Sequence, residues 1–402
     1  MTIMDQQQDL RHRIPRNVLV VAFVALASGL GQDLITPVLP AYLGLLGIST
    51  AGIGLIDGLL QGSTSIFRFV SGILSDRLRD RKRLVFLGYA LSSVSRPLLA
   101  VMSSFGAIAG LRLMDGIGKG TKDAPRDALV ADSAVAGSSG RAFGFQRLVD
   151  TAGSVIGPLF AAGLLLTLTP SLSSYRLIFL LAAIPGAVAL GLIIFGIREP
   201  AAPRTPGVAA KPLPGSFWIF VIGATIAMLT KINDSLFLVR AGDLGVPPAW
   251  IPVVFAGFTL VYALFSYPIG VWSDRIGKKP LIIAGWLTLA LVELGFSFDG
   301  PLASALVLFG FYGLFFALTE GSARAFIAET VSQEARGSAY AVYYTLTGVA
   351  VIVGGYGLGH IWDYSSPDLA FRISAAGSLL ASLIMAVTFI KRPRSRGDRS
   401  AV

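Results

Sequence analysis

Apolar stretches long enough to cross a lipid bilayer recur twelve times along these 402 residues, and no other feature of the sequence narrows the fold as far. A spanning helix takes about 20 mainly apolar residues. The stretches run over 18–46, 52–75, 84–104, 105–130, 142–168, 175–197, 216–240, 250–272, 281–298, 303–328, 337–361 and 370–390. Only 14% of the residues are charged, against about 25% in an average soluble chain, so the polar surface needed to face water on all sides is missing. The expected fold is an all-α membrane protein with twelve transmembrane helices. The fourth and tenth spans carry several charges at their C-terminal ends and are expected to fail a strict hydropathy filter. The 46 glycines suit closely packed helices. Arg11, Arg13 and Arg16 precede a first stretch too long for the core of a cleavable leader and without a small-residue cleavage site. It reads as the first span.

The chain repeats itself. Gly72-Ile-Leu-Ser-Asp76-Arg77-Leu-Arg-Asp-Arg-Lys-Arg follows the second span, and Gly270-Val-Trp-Ser-Asp274-Arg275-Ile-Gly-Lys-Lys follows the eighth, at an offset of 198 residues. The same offset carries Gly47 onto Gly245 and Arg126 onto Arg324, and brings Asp132 and Arg141 to within a few residues of Glu329 and Arg336. Two parallel halves follow, as in one class of secondary transporters: a six-helix bundle over 1–197, a Pro-rich cytoplasmic linker over 198–215, and a second six-helix bundle over 216–402 that ends in a basic tail. Twenty-five of the 33 lysines and arginines fall on the side shared by both termini and the even-to-odd loops. The positive-inside rule puts that side, and both termini, in the cytoplasm. The net charge of +10 is thereby accounted for without nucleic acid. The tail over 391–399 is a candidate for contact with membrane lipid.

Several chemistries are excluded. The chain has no cysteine, and its two histidines, His12 and His360, lie far apart, so no thiolate or histidine metal cluster is expected. No phosphate-binding loop appears: the glycine spacing of Gly116-Ile-Gly-Lys-Gly-Thr is wrong and the segment lies in a span. No nucleophile–base set suggests an enzyme, and no cofactor is expected.

The loop pattern G-x-x-x-D-R, closed by two basic residues and present twice, resembles the signature of the major facilitator superfamily. Arg79 stands where that motif commonly has glycine, whereas the second copy keeps Gly277. Gly153-Ser-Val-Ile-Gly157-Pro158 is similar to the antiporter motif of the superfamily's drug-exporting branches, and Arg112-Leu-Met-Asp-Gly116-Ile-Gly118 resembles its fourth-helix motif. The run Gly118 to Asp132 looks like that of a prokaryotic subgroup without an assigned substrate. The resemblance covers the whole chain. It implies alternating access, a central cavity lined by the first, fourth, seventh and tenth spans, and a cytoplasmic charge relay that latches one conformation.

Those four spans are also the charged ones. Arg112, Asp115, Lys119, Lys122 and Arg126 recur at spacings of three and four and so share one helix face. A charge at mid-membrane costs roughly 2.5–3.5 kcal/mol on insertion scales, so the face must meet water or partners. The candidate substrate and proton cavity comprises Gln32, Asp33, Arg112, Asp115, Lys119, Lys231, Asn233, Asp234 and Glu320. Lys231 with Asp234, and Glu320 with Arg324, are spaced to pair with each other. Asp33 leads as a proton carrier because its own turn holds no basic residue; capping a kink near Pro37 and Pro40 is the alternative. Arg68, Arg96 and Glu293 are expected to pair between helices. Phe237, Tyr340, Tyr343 and Tyr344 are the aromatic candidates for the cavity wall. The candidate cytoplasmic gate comprises Asp76, Arg77, Arg126, Asp132, Arg141, Asp274, Arg275, Arg324, Glu329 and Arg336, with Asp76 expected opposite Arg126 and Asp274 opposite Arg324. The gate repeats between the halves, whereas Asp115 and Lys119 have no charged counterparts at the same offset. The symmetric residues are expected to run the switch and the asymmetric ones to choose the cargo.

The expected function is secondary active transport of a small organic solute across the bacterial inner or plasma membrane, as proton-coupled efflux by a monomer. Two alternatives stand beside it: an uptake symporter for an anionic or zwitterionic solute, and a non-transporting membrane sensor or scaffold.

Overall fold

The computed structural model describes residues 14–78, 80–133, 139–199, 212–332 and 335–390. Among them the chain forms fifteen α-helices. They are α1 (Arg16–Asp33), α2 (Leu39–Leu45), α3 (Thr50–Leu78), α4 (Arg81–Leu98), α5 (Phe105–Ser133), α6 (Ser139–Thr167), α7 (Leu172–Leu181) and α8 (Ala183–Gly196) in the first half. The second half holds α9 (Gly215–Thr230), α10 (Asp234–Asp243), α11 (Ile251–Ile276), α12 (Lys278–Phe296), α13 (Leu302–Thr330), α14 (Arg336–Tyr364) and α15 (Pro367–Ile390). Among the described residues nine helical segments are long and apolar enough to cross a membrane. The other three expected spans fall short for visible reasons. The first is interrupted after Asp33, the second carries Asp57 and Arg68, and the fourth carries the charge stripe. The tenth qualifies despite Glu320 and Arg324, against expectation. Bulky apolar side chains such as Phe195, Leu166 and Leu291 stand exposed on the helix flanks, as lipid contact requires.

The repeat is visible in the packing. In the first half α3 packs on α5, α4 on α5, α1 on α6 and on α8, and α4 on α8. The second half reproduces each pair: α11 on α13, α12 on α13, α9 on α14 and on α15, and α12 on α15. Backbone detail repeats as well. Gly47 (φ 73°) and Gly245 (φ 89°) both sit in the left-handed region, where glycine pays no Cβ penalty. Around them Gly47 N–H donates to Gly44 and Ile48 N–H to Leu43, and the offset pairs are Gly245 to Gly242 and Val246 to Ala241. The same helix-ending turn is therefore built twice.

The most extensive helix contacts between the halves are α3 with α14 and α6 with α11, and α10 also meets α2 and α3. The first pair is in backbone contact: a Cβ at Gly54 would overlap the Gly355 carbonyl, and one at Gly62 would overlap that of Gly348. The glycines of the Gly-Pro motif do a similar job within the first half. Gly153 and Gly157 seat α6 on the backbone of α1, with Gly157 against Asp33 and Leu34.

The first and seventh spans are both broken, at matching places. α1 ends at Asp33, and α2 starts at Leu39 with Pro40 in its first turn. α9 ends at Thr230, and Lys231 and Asn233 are extended before α10 begins at Asp234. Asp33 and Lys231 are 198 residues apart. Discontinuous helices of this kind expose backbone groups that side chains must satisfy, and they mark binding sites in transporters.

Candidate functional site

A cavity of about 770 Å³ lies between the halves at the end that carries the basic loops. Its wall comes from the C-terminal parts of α3, α5, α11 and α13 and the N-terminal parts of α6 and α14. Beyond it lies a smaller chamber of about 170 Å³, which shares Arg68, Glu320, Arg324 and Tyr344 with the outer cavity. The chamber's own wall is aromatic, with Phe220, Trp286, Phe315, Phe316 and Tyr343, and its one charged residue not shared with the outer cavity is Lys231.

Lys231 is held at the break of the seventh span. Its ammonium lies 2.9 Å from Asp234 Oδ1, as the spacing predicts, and over the rings of Tyr312 (5.3 Å) and Phe316 (5.5 Å). Tyr312 donates its hydroxyl to the same Asp234 oxygen. The break is tied to both sides. Asn233 Nδ2 donates to Gly54 O (2.9 Å), and Ser235 N–H donates to Asp57 Oδ2 (3.3 Å), which also accepts from Gln61 Nε2 (3.1 Å). On the other side Ile232 N–H donates to Ser374 Oγ (3.1 Å). Ser374 in turn donates to Glu293, and Ser378 Oγ donates to its second oxygen at 2.8 Å. Glu293 is fully buried and pairs between helices as expected, through the two hydroxyls of α15.

The fourth-span stripe meets partners, not the chamber. Asp115 is held between two arginines, Arg96 (Nη2 3.1 Å) and Arg112 (Nη1 3.3 Å), and all three are at most 2% exposed. Arg96 also donates to Ser28 O (3.0 Å) and to Gln32 Oε1 (3.4 Å), tying α4 to α1. The physical reason is on the two flanks of the stripe, where Gly116 and Gly120 seat α5 on the α3 backbone and Gly118 seats it on α4. The charges are thereby turned into the first half's interior, where a buried charge needs a partner. Asp33 is buried, accepts from Gln32 Nε2 (3.1 Å), and is faced by Ser154 and Lys119. Of the nine candidate cavity residues, Lys231 and Glu320 line the chamber, and Asn233 and Asp234 stand directly behind Lys231. Gln32, Asp33, Arg112, Asp115 and Lys119 belong to the packed first half.

The gate residues pair within their own halves. Arg324 meets Glu320 (3.0 Å), so Asp274 is not opposite Arg324 as expected. Lys278 takes Asp274 instead (2.6 Å) and also reaches Glu329 (3.3 Å). Arg126 lies 3.0 Å from Asp127 and 3.9 Å from Asp123, and Asp123 is bound by Arg68. Asp132 pairs with Arg81. Arg336 donates to Ala328 O (3.0 Å), closing the end of α13. Arg141 and Arg275 are exposed, and the side chains of Asp76 and Arg77 lie outside the described residues. A polar chain crosses between the halves here: Arg147 Nη2 donates to Tyr262 OH (2.6 Å), and Tyr262 donates to Glu320.

Sequence reasoning missed Asp57, Asp123, Arg147 with Tyr262, and the aromatic chamber. Asp57 had a signal, since a lone carboxylate in an apolar span is a functional candidate by default. Tyr340 and Tyr344 do face the outer cavity and Tyr343 the chamber. Phe237 is buried among Phe296, Tyr312 and Phe371.

The family model described as Major Facilitator Superfamily matches residues 21–232 and 216–401. The MFS-type transporter MJ1317 of Methanocaldococcus jannaschii is 28% identical over 382 residues, which covers 92% of this chain and 94% of that protein. Quinolone resistance protein NorA of Staphylococcus aureus is 25% identical over 386 residues, 91% of this chain and 95% of that one. The crystal structure of the nucleoside transporter NupG aligns with a TM-score of 0.76 at 15% identity, covering 94% of this chain and 100% of that one.

Proposed function

The chain belongs to the major facilitator superfamily; it is a multi-pass membrane transporter of the cell membrane, and from that premise we propose proton-coupled export of a small organic solute by alternating access. In this reading twelve helices form two six-helix bundles joined by the linker over 198–215, with both termini and the basic loops in the cytoplasm. The bundles rock about the chamber around Lys231, and the monomer is the working unit. The observation that carries the reading is the one-sided cavity, which lies between the halves at the basic end and narrows to a chamber at the break of the seventh span. A single site reached from one side at a time is what alternating access needs.

Proton coupling draws on three buried carboxylates, Asp33, Asp57 and Glu293, which make hydrogen bonds but no salt bridge among the described residues. Such a group can hold a proton in one state and release it in the other. Asp33 is the first choice, because it sits at the break of α1 and against the Gly157 seat of the antiporter-like motif. Export is favoured over uptake by that motif and by the relation to a quinolone resistance protein. The gate residues Asp76 and Asp274, with their arginines, latch the alternate conformation, in which the basic end is closed.

The test is transport in proteoliposomes under an imposed pH gradient, with the wild type and Asp33→Asn. Uphill movement that collapses with the gradient is expected for the wild type. The variant should still exchange solute down its gradient but lose accumulation. Accumulation by the variant equal to the wild type would remove Asp33 from the coupling. The second reading, uptake of an anionic solute with protons, is favoured by the excess of cations around the cavity, and the direction of movement in the same vesicles decides between the two.

A further inference from the structure

The chamber and the outer cavity together have a chemical bias. Five cations line them, Arg68, Arg126, Arg147, Lys231 and Arg324, against three carboxylates, Asp123, Asp127 and Glu320. One further donor has no partner: Gln146 lines the outer cavity, is 4% exposed, and its Nε2 makes no hydrogen bond. A buried amide N–H₂ left unpaired costs free energy that an acceptor on a ligand would recover. Deeper in, the walls turn aromatic. Phe220 and Tyr343 stack 5.6 Å apart at 16°, Trp286 lies nearly parallel to Phe220 at 9°, and Phe316 closes over Lys231. Flat rings add to such walls by stacking or edge contact.

At the inner end the one charged lining residue not shared with the outer cavity is Lys231, and the Asp234 Oδ1 beside it already accepts from Lys231 and Tyr312. A cationic ligand reaching this depth would meet an ammonium at low dielectric, with Asp234 and Glu320 already paired to Lys231 and Arg324. An anionic one would find a cation held in place by two rings. We infer that the site takes a flat aromatic organic anion, its rings against Phe220, Trp286, Phe316 and Tyr343, its oxyanion on Lys231, and any second acceptor on Gln146. This names the substrate class of the transport site proposed above, and rests on that reading.

Purified full-length protein in detergent is titrated by calorimetry with three isosteres: 2-naphthoate, 2-naphthylmethanol and 2-naphthylmethylammonium. The expected order places naphthoate about tenfold or more tighter than the ammonium compound, the scale of one charge-assisted hydrogen bond. Lys231→Gln should remove that preference, Lys231→Arg should restore it, and Trp286→Ala should weaken all three. Equal or tighter binding of the ammonium compound overturns the inference. So does a Lys231→Gln variant that keeps the preference for naphthoate, or the absence of any naphthalene binding. The wild-type ranking needs no variant, so a failure of Lys231→Gln to fold leaves the test intact. Gradient-driven transport in vesicles separates the two readings. A solute that moves while naphthoate does not bind sinks the substrate class alone. Naphthoate that binds as expected while no solute moves sinks the transport reading alone.

Discussion

The two ends of this molecule hold their charges differently. At the basic end nearly every ion pair closes within one half: Arg81 with Asp132, Arg68 with Asp123, Lys278 with Glu329, Arg324 with Glu320. Arg147 with Tyr262 and the Arg68 guanidinium over the Tyr344 ring (5.7 Å) cross the interface there. At the far end Arg240 closes on Asp299 and Asp368 within the second half, but two carboxylates cross the interface and end on helix N-termini. Asp363 of α14 accepts from the N–H groups of Thr50 (2.9 Å) and Ala51 (2.8 Å), capping α3, and Asp57 of α3 caps α10 in return. A helix N-terminus carries about half a positive charge, so a carboxylate from the other half is a strong and reversible tie. The closed end is stitched by caps between halves, and the open end has spent its charges inside each half. Alternating access requires that this distribution invert.

The absence of cysteine makes the comparison measurable, because spin labels can be placed at chosen pairs without a background. Leu45 and Trp250, exposed at the far end on opposite halves, report its width. The largest effect is expected from Gly54→Val. Its side chain would meet the Gly355 carbonyl, and overpacking of this kind costs about 1–3 kcal/mol. The 45–250 distance should become predominantly long, and the melting temperature should fall. A narrow distribution would mean that α3 and α14 part along another seam.

Asp363→Ala comes next. Loss of an N-cap costs about 0.5–2 kcal/mol, so the open far-end population should rise up to about thirtyfold. Asp363→Asn should have a smaller effect, since the amide keeps one acceptor. Equal distributions for the wild type and the alanine variant would show that the cap does not hold the end shut.

Much of this architecture was legible in the sequence. The 198-residue offset that aligned two loop motifs also aligns two helix-ending turns, Gly47 and Gly245, and two helix breaks, at Asp33 and Lys231. The pairs spaced three or four apart, Lys231 with Asp234 and Glu320 with Arg324, form as spacing alone requires. What spacing cannot tell is which helix a charge faces. Spacing puts Asp115 on a cavity wall because its stripe must meet something polar, whereas in the fold it meets Arg96 from α4, a partner set by where Gly116 and Gly118 dock. The caps were invisible for a similar reason. Asp57 and Asp363 bind backbone N–H groups, which leave no mark in a sequence.

Arg147→Ala should act in the opposite sense to Asp363→Ala and more weakly. The arginine side chain is 53% exposed, so its contacts are worth about 0–1 kcal/mol. Removing it should widen the basic end and leave the 45–250 distance unchanged. A label pair at Ile73 and Tyr267, both exposed and on opposite halves, measures it.

Asp274→Asn is the smallest change expected in this conformation and the most informative about the other. The Asp274 side chain is 78% exposed, and Lys278 retains Glu329 and the Ser273 carbonyl (3.1 Å) when it is neutralised. Stability should shift by no more than about 0.5 kcal/mol, as for an exposed ion pair. A residue at the centre of a repeated motif yet nearly idle here must act, if at all, when the basic end closes and brings a new partner. The variant should therefore keep its melting temperature while the 73–267 distribution moves toward the long distance, because only the closed state has lost its latch. An unchanged distribution would remove Asp274 from the switch in both states, and the basic residues of its loop would be left with topology as their only role.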